Sequence, residues 1–134
     1  MLINPLNSVI LGEGKSKDCN QNYTRAVATP DGWTFVIPNT TQTTSYGYLY
    51  NDGITSTKEA SDNFNELFNL AEQGIYLEEK VDNFKFQQYV AKSPIIDDRI
   101  ILGGNRLFFL EPLESTAIEC YLHWAQRNWS WIID

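Results

Sequence analysis

From Tyr23 to Tyr50 the chain reads YTRAVATPDGWTFVIPNTTQTTSYGYLY, in which β-branched and aromatic residues fall into three short runs. A Pro-Asp-Gly turn and a polar Asn-Thr-Thr-Gln stretch separate them, so the pattern predicts three antiparallel strands. Trp33, Phe35 and Ile37 alternate with Thr34 and Val36, which puts the aromatic pair on one face of the middle strand. Tyr46, Tyr48 and Tyr50 repeat the period of two in the next run.

The period then changes. In STKEASDNFNELFNLAEQG, Ser56 is placed to cap a helix with Glu59 three residues on. Ala60, Phe64, Leu67, Phe68 and Ala71 follow at helical spacing, and Gly74 closes the run. The stretch from Phe84 to Lys92 alternates like a strand, and Asp97 to Gly104 reads as a short buried strand entering a glycine turn. A last helix places Ile118, Tyr121, Leu122, Ala125, Trp129 and Ile132 on one apolar face. The expected class is α+β: an antiparallel sheet from residues 23 to 50 and 84 to 103, with helices at 56–73 and 115–131.

At 134 residues, 43% of them hydrophobic, the chain has the size of a single domain, 1–134. A net charge of −7 disfavours nucleic acid and anionic lipid as partners. The two cysteines, Cys19 and Cys120, have no metal-ligand spacing and form no disulfide framework, which points to a reducing cytoplasm. No apolar run reaches membrane-spanning length and the first residues lack a signal-peptide pattern, so the sequons at Asn22, Asn39 and Asn128 read as chance matches.

Three places invite chemistry. GEGKS at Gly12–Ser16 lacks the glycine a phosphate loop needs at position 9, where Val stands, and reads as a polar loop. Cys120 and His123 share the last helix, and the reading there is a small core thiol beside a flank histidine, with no metal. EPLESTAIE is more informative. Thr116 followed by Glu119 fits a capping box, so the helix starts at or near Thr116 with Pro112 and Glu114 in the turn before it. Unpaired N–H groups at Thr116 and Ala117, together with the helix dipole, would favour a small anion such as halide. Glu114 would repel that anion from the same spot and so points elsewhere. The alternative is that Glu114 and Glu119 only satisfy the helix start.

These segments, in this order, resemble the flavin-dependent tryptophan halogenase family. EPLESTAI at 111–118 is similar to its EPLESTxI segment, and GWTFVIP at 32–38 to its W-x-W-x-I-P signature, which places signature residues at Trp33, Phe35, Ile37 and Pro38. YTRAVA before the signature and YGYLY after it also resemble the family. The resemblance implies a central-to-late section of a larger flavoprotein with a flavin-monooxygenase-like fold. Its amino-terminal part, with the G-x-G-x-x-G turn and a catalytic lysine, is not found in these residues.

The resemblance further implies reduced FAD, oxygen and a halide ion acting together to form a hypohalous species, which the lysine directs onto an electron-rich aromatic ring. The lysine's partner maps to Glu114, and the halide to backbone amides of Thr116 and Ala117. Gly104, Asn105 and Pro112 map to flavin contacts. The implied partners are an aromatic small molecule, a separate amino-terminal flavin-binding half and a flavin reductase. Three departures stand out: Phe35 replaces the second signature Trp, Phe108 stands where relatives often have glycine, and Ala117 replaces a glycine. The chain is therefore expected to be an incomplete catalyst alone. Rival readings are a non-catalytic remnant or binding domain, and a flavin monooxygenase relative that does not halogenate.

Overall fold

The computed structural model describes residues 5–15, 23–39, 43–68, 75–76, 84–111, 113 and 116–133. They belong to two compact units, residues 1–86 and 87–134, each described by itself below.

The first unit is an antiparallel sheet crossed by one helix. Strand β1 is Ser8–Lys15, β2 Arg25–Thr29, β3 Gly32–Pro38 and β4 Thr43–Tyr50. Their spatial order is β2-β3-β4-β1, with the short β5 (Ile75–Tyr76) and β6 (Phe84–Lys85) both paired to β1. The three strands expected between Tyr23 and Tyr50 are present, and the Pro30–Asp31 turn joins the first two in the register Thr29 opposite Gly32. Pro38, which has no N–H to donate, lies beyond the last β2–β3 pair at Val36, where that edge of β3 is open.

Strand β1 overturns the polar-loop reading of GEGKS. Gly12, Glu13, Gly14 and Lys15 all pair with β4. Here small residues oppose large ones, Ser8 against Tyr50 and Gly12 against Tyr46. At Gly12 the bulk that would have signalled a strand thus sits on its partner Tyr46.

Each face of the sheet carries a buried cluster. On one, Ile10, Val36, Tyr46, Tyr48 and Tyr50 pack under helix α1 (Thr57–Phe68), which inserts Ala60 and Phe64. Ser56 caps α1 by accepting from the Glu59 N–H at 3.2 Å. The C-terminal end of the expected helix, with Ala71 and Gly74, lies outside the described residues. On the opposite face Trp33 and Leu49 pack with Leu6, flanked by Val9, Phe35 and Phe86. Trp33 and Phe35 share this face as expected, their ring centroids 6.2 Å apart.

The turn aspartate Asp31 joins the helix side together. Its carboxylate accepts from Tyr48 Oη (2.6 Å), Asn63 Nδ2 (2.8 Å) and Thr55 Oγ1 (3.1 Å), linking a hairpin, a central strand, a loop and α1. Burial pushes the Asp31 pKa up, but these three donors outweigh it and hold the carboxyl below its ordinary range. Burial, and then the bond to Asp31, push the Tyr48 hydroxyl up to about 12.

The second unit is built from short pieces. β7 (Tyr89–Val90) pairs with β10 (Phe108–Phe109), and β8 (Ile95–Ile96) with β9 (Ile100–Ile101). A 3-10 turn spans Gly104–Arg106, and helix α2 spans Thr116–Ile133. The sequence pattern joined 84–92 into one strand and carried the main sheet on to 103, and the structure corrects both. Phe84–Lys85 pairs with β1, whereas Tyr89–Val90 pairs with β10. The alternation of this segment is real, but it serves two partners. The strand expected in 97–104 shrinks to Ile100–Ile101, and it is exposed rather than buried.

Candidate functional site

Strand β10 leads out of the glycine turn and towards α2. The helix begins at Thr116, where the capping pattern placed it. Glu111 turns back on the approach, its carboxylate accepting from the Leu113 N–H at 3.3 Å. Pro112 and Glu114, expected at the flavin and as the lysine's partner, lie outside the described residues. Ala117, the second helical residue, is half-buried.

The inner row of α2 is Ala117, Tyr121, Trp124 and Asn128, all half-buried. Tyr121 and Trp124, one turn apart, fasten the glycine turn to the helix. The Tyr121 hydroxyl donates to the Phe108 carbonyl and to Asn105 Oδ1, both at 2.8 Å, one proton shared between two acceptors. Its ring packs on Phe108 with centroids 4.7 Å apart. Burial, then the neighbouring Tyr89 and Cys120, raise the Tyr121 pKa, so the hydroxyl keeps its proton at neutral pH. Trp124 Nε1 donates to the Leu102 carbonyl at 2.8 Å, and the Tyr89 hydroxyl donates to the Asn105 carbonyl. The turn is thus pinned just before Gly103 and again at Asn105.

Between those pins the backbone is bare. A Cβ added at Gly103 or at Gly104 would meet nothing within 4 Å, and Gly104 has φ +53°, a conformation that favours glycine. A flat or anionic group could approach this backbone at contact distance. Asn105, by contrast, already has both of its oxygens engaged with tyrosines.

Sequence reasoning missed Tyr89 and Trp124 and placed Tyr121 among the apolar residues. Their signal was that each carries an apolar ring with one polar atom, the type that binds a backbone carbonyl when half-buried. The expectation of a core thiol at Cys120 is overturned, because Cys120 is exposed. It sits one position off the inner row, on the flank where His123, Arg127, Trp124, Leu107 and Phe108 line a cleft of about 680 Å³. No group of three His, Cys, Asp or Glu capable of holding a metal occurs among the described residues.

The signature residues lie in the first unit. Trp33 is buried on β3, Phe35 is half-buried, Ile37 is 38% exposed, and Pro38 ends the strand. Phe35 lies over Gly47, its cross-strand partner, where an added Cβ would stand 2.1 Å from its ring.

The family model described as Tryptophan halogenase matches residues 5–129. The chain belongs to the tryptophan halogenase family. Its fold is that of solved flavin-dependent halogenases. It is similar to MibH, a lanthipeptide tryptophan 5-halogenase, with TM-score 0.71 and 20% identity over 86% of this chain and 20% of that one. With SttH, a tryptophan 6-halogenase from Streptomyces toxytricini, the TM-score is 0.69 and the identity 23%, over 89% of this chain and 24% of that one. With a tryptophan halogenase from Shewanella frigidimarina it is 0.68 at 19% identity, covering 90% and 23%. The chain therefore spans less than a quarter of the length of these halogenases. Among the described residues no helix is long and apolar enough to cross a membrane.

Proposed function

We propose that residues 1–134 form one part of the catalytic and substrate region of a cytoplasmic flavin-dependent halogenase, which uses reduced FAD, oxygen and halide on an electron-rich, tryptophan-like aromatic ring. The observation that carries this reading is the start of α2 at Thr116, inside the EPLEST segment, with the inner face of the same helix fastened to the glycine turn.

Reduced flavin, when bound, supplies with oxygen the oxidation of halide. The residues of this chain position the reactants. Thr116 and Ala117 offer the first backbone N–H groups of an 18-residue helix, donors left without an intrahelical acceptor and aligned with the helix dipole. A halide is held there without any cationic side chain. The bare backbone at Gly103 and Gly104 fits close approach by the flavin. Asn105, its oxygens engaged, keeps the turn in shape and has Nδ2 as the atom to turn towards the cofactor. Pro112 is assigned with them as a flavin contact. Glu114 stabilises the positive charge that develops on the ring during substitution, acting as an acid or hydrogen-bond partner rather than a nucleophile. The lysine and the flavin-binding turn come from an amino-terminal half, and the reduced flavin from a reductase. On β3, Trp33 and Phe35 form an aromatic wall continuing into Ile37, and Pro38 ends the strand.

A thermal-shift titration with sodium bromide against sodium fluoride at equal ionic strength tests the halide site. Bromide is expected to stabilise the chain. Thr116→Pro removes one amide at the first helical position, where proline is tolerated, and is expected to abolish the bromide effect while leaving the helix content unchanged. Equal shifts with both salts, or an unchanged bromide effect in Thr116→Pro, would refute the assignment.

A further inference from the structure

The open backbone at Gly103 and Gly104 has a bulky neighbour. Phe108, which stands where relatives often have glycine, begins β10 one residue after the 3-10 turn closes, the Leu107 N–H donating to the Gly104 carbonyl at 2.9 Å. It is tied to the end of the same turn as well, since its carbonyl and the Asn105 side chain share the Tyr121 hydroxyl. On a strand two side-chain wells are commonly open to such a ring. Nothing lies within 4 Å of a Cβ built at either glycine, so the ring stands clear of both. It lies instead on Tyr121, with centroids 4.7 Å apart and planes inclined at 39°. Tyr121 is anchored in turn, half-buried on α2 and held at the far end of its ring by the hydroxyl's two acceptors. A ring fixed at both ends offers its neighbour one face to pack on, and packing on it selects one well for Phe108.

We infer that Tyr121 is a positioning residue, whose ring holds Phe108 in the side-chain well that leaves Gly103 and Gly104 open to a flat ligand, the isoalloxazine of the flavin. The inference rests on the halogenase reading above, in which that backbone faces the cofactor. The effect of Tyr121 passes through Phe108 rather than through any contact of its own with a reactant. Its hydroxyl shapes the turn and its ring keeps the turn clear, so the bulk that Phe108 brings beside the glycines is answered from the helix.

The test uses the full 134-residue chain in solution, with two probes read at the NMR signals of Gly103 and Gly104. A neutral nitroxide, whose paramagnetic relaxation reports how open those atoms are, tests the inference without any flavin. Lumiflavin, the bare isoalloxazine ring system, tests the halogenase reading. Three-bond couplings report the χ1 angle of Phe108. The wild type is expected to show a single Phe108 well and strong nitroxide relaxation at both glycines. Tyr121→Leu removes the ring and is expected to divide Phe108 between its wells, cutting the relaxation roughly by half. Tyr121→Phe keeps the ring and is expected to match the wild type. Adding Phe108→Gly to Tyr121→Leu should restore the relaxation, which a general loosening of the second unit would not allow. A wild-type Phe108 already divided between wells, unchanged relaxation in Tyr121→Leu, or no recovery in the double variant would each overturn the inference. Lumiflavin shifts absent from both glycines, with the nitroxide results as expected, contradict the flavin reading alone. Lumiflavin shifts of equal size in the wild type and in Tyr121→Leu contradict the role of Tyr121 alone.

Discussion

Tyr121 holds Asn105: the hydroxyl on the second turn of α2 lies 2.8 Å from the side-chain oxygen of the residue that ends the open glycine backbone. The same hydroxyl reaches the Phe108 carbonyl at 2.8 Å, so one atom relates the helix, the glycine turn and β10. Tyr121→Phe keeps the ring contact with Phe108 and removes that atom. The expected cost is about 1 kcal/mol in urea denaturation, the usual net worth of such a bond. Hydrogen exchange should quicken at residues 103 to 106 and remain unchanged in the first unit. An unchanged exchange rate in the turn would show that Tyr121 does not hold it.

Phe35 and Gly47 are matched across β3 and β4. An alanine Cβ at position 47 would stand 2.1 Å from two atoms of the Phe35 ring. Gly47→Ala is expected to destabilise the chain by roughly 1–3 kcal/mol, the range for overpacking a filled site. Phe35→Leu should recover part of that loss, so the double variant is more stable than the sum of the single effects requires. Additive losses would mean the ring does not rest on the glycine.

Much of this arrangement was legible in the sequence, and the gaps have physical causes. The Tyr23–Tyr50 strands, the Ser56 cap and the start of α2 were readable because each is specified locally, by alternation or by a capping residue next to the element it begins. β1 was not, because Ser8 and Gly12 are small residues that pair with the bulky Tyr50 and Tyr46 of β4, and pairing of that kind is a property of two segments. Phe84–Lys92 misled for the related reason that one alternating run is shared between two partners. At the site, the helix start followed from Thr116 and Glu119. The pins on the glycine turn did not, since the carbonyls of Leu102, Asn105 and Phe108 are acceptors that no sequence pattern distinguishes.

Asp31 supplies a pH dependence with a definite sign. Its folded pKa lies below the reference value of 3.8, so the ionised form is the one the fold favours. The stability it contributes is fully present above the unfolded pKa and is lost as pH falls below about 4 through the folded value. Asp31→Asn leaves donors facing an amide that can accept on one oxygen alone, and is expected to lower stability at pH 7 by about 1–3 kcal/mol. The gap between variant and wild type should narrow between pH 4 and pH 2. A constant gap across that range in chemical denaturation would contradict the role given to the carboxylate.

The hairpin between β8 and β9 turns through Asp97 and Asp98, whose φ angles are 51° and 53°, and closes with the Arg99 N–H on the Ile96 carbonyl at 3.1 Å. This is the geometry of a primed turn, in which glycine avoids the steric cost of a left-handed backbone. Asp98→Gly is expected to protect the Arg99 amide further in hydrogen exchange, by up to about tenfold, corresponding to roughly 1 kcal/mol. Faster exchange at Arg99 would show that the aspartate side chain itself holds the turn.

The halide site proposed at the first amides of α2 is open to a direct test. Crystals of the chain soaked in sodium bromide and measured at the bromine absorption edge test it by direct observation. An anomalous peak is expected within hydrogen-bonding distance of the Thr116 and Ala117 nitrogens, absent in Thr116→Pro. Bromide peaks elsewhere with none at that helix start would contradict it.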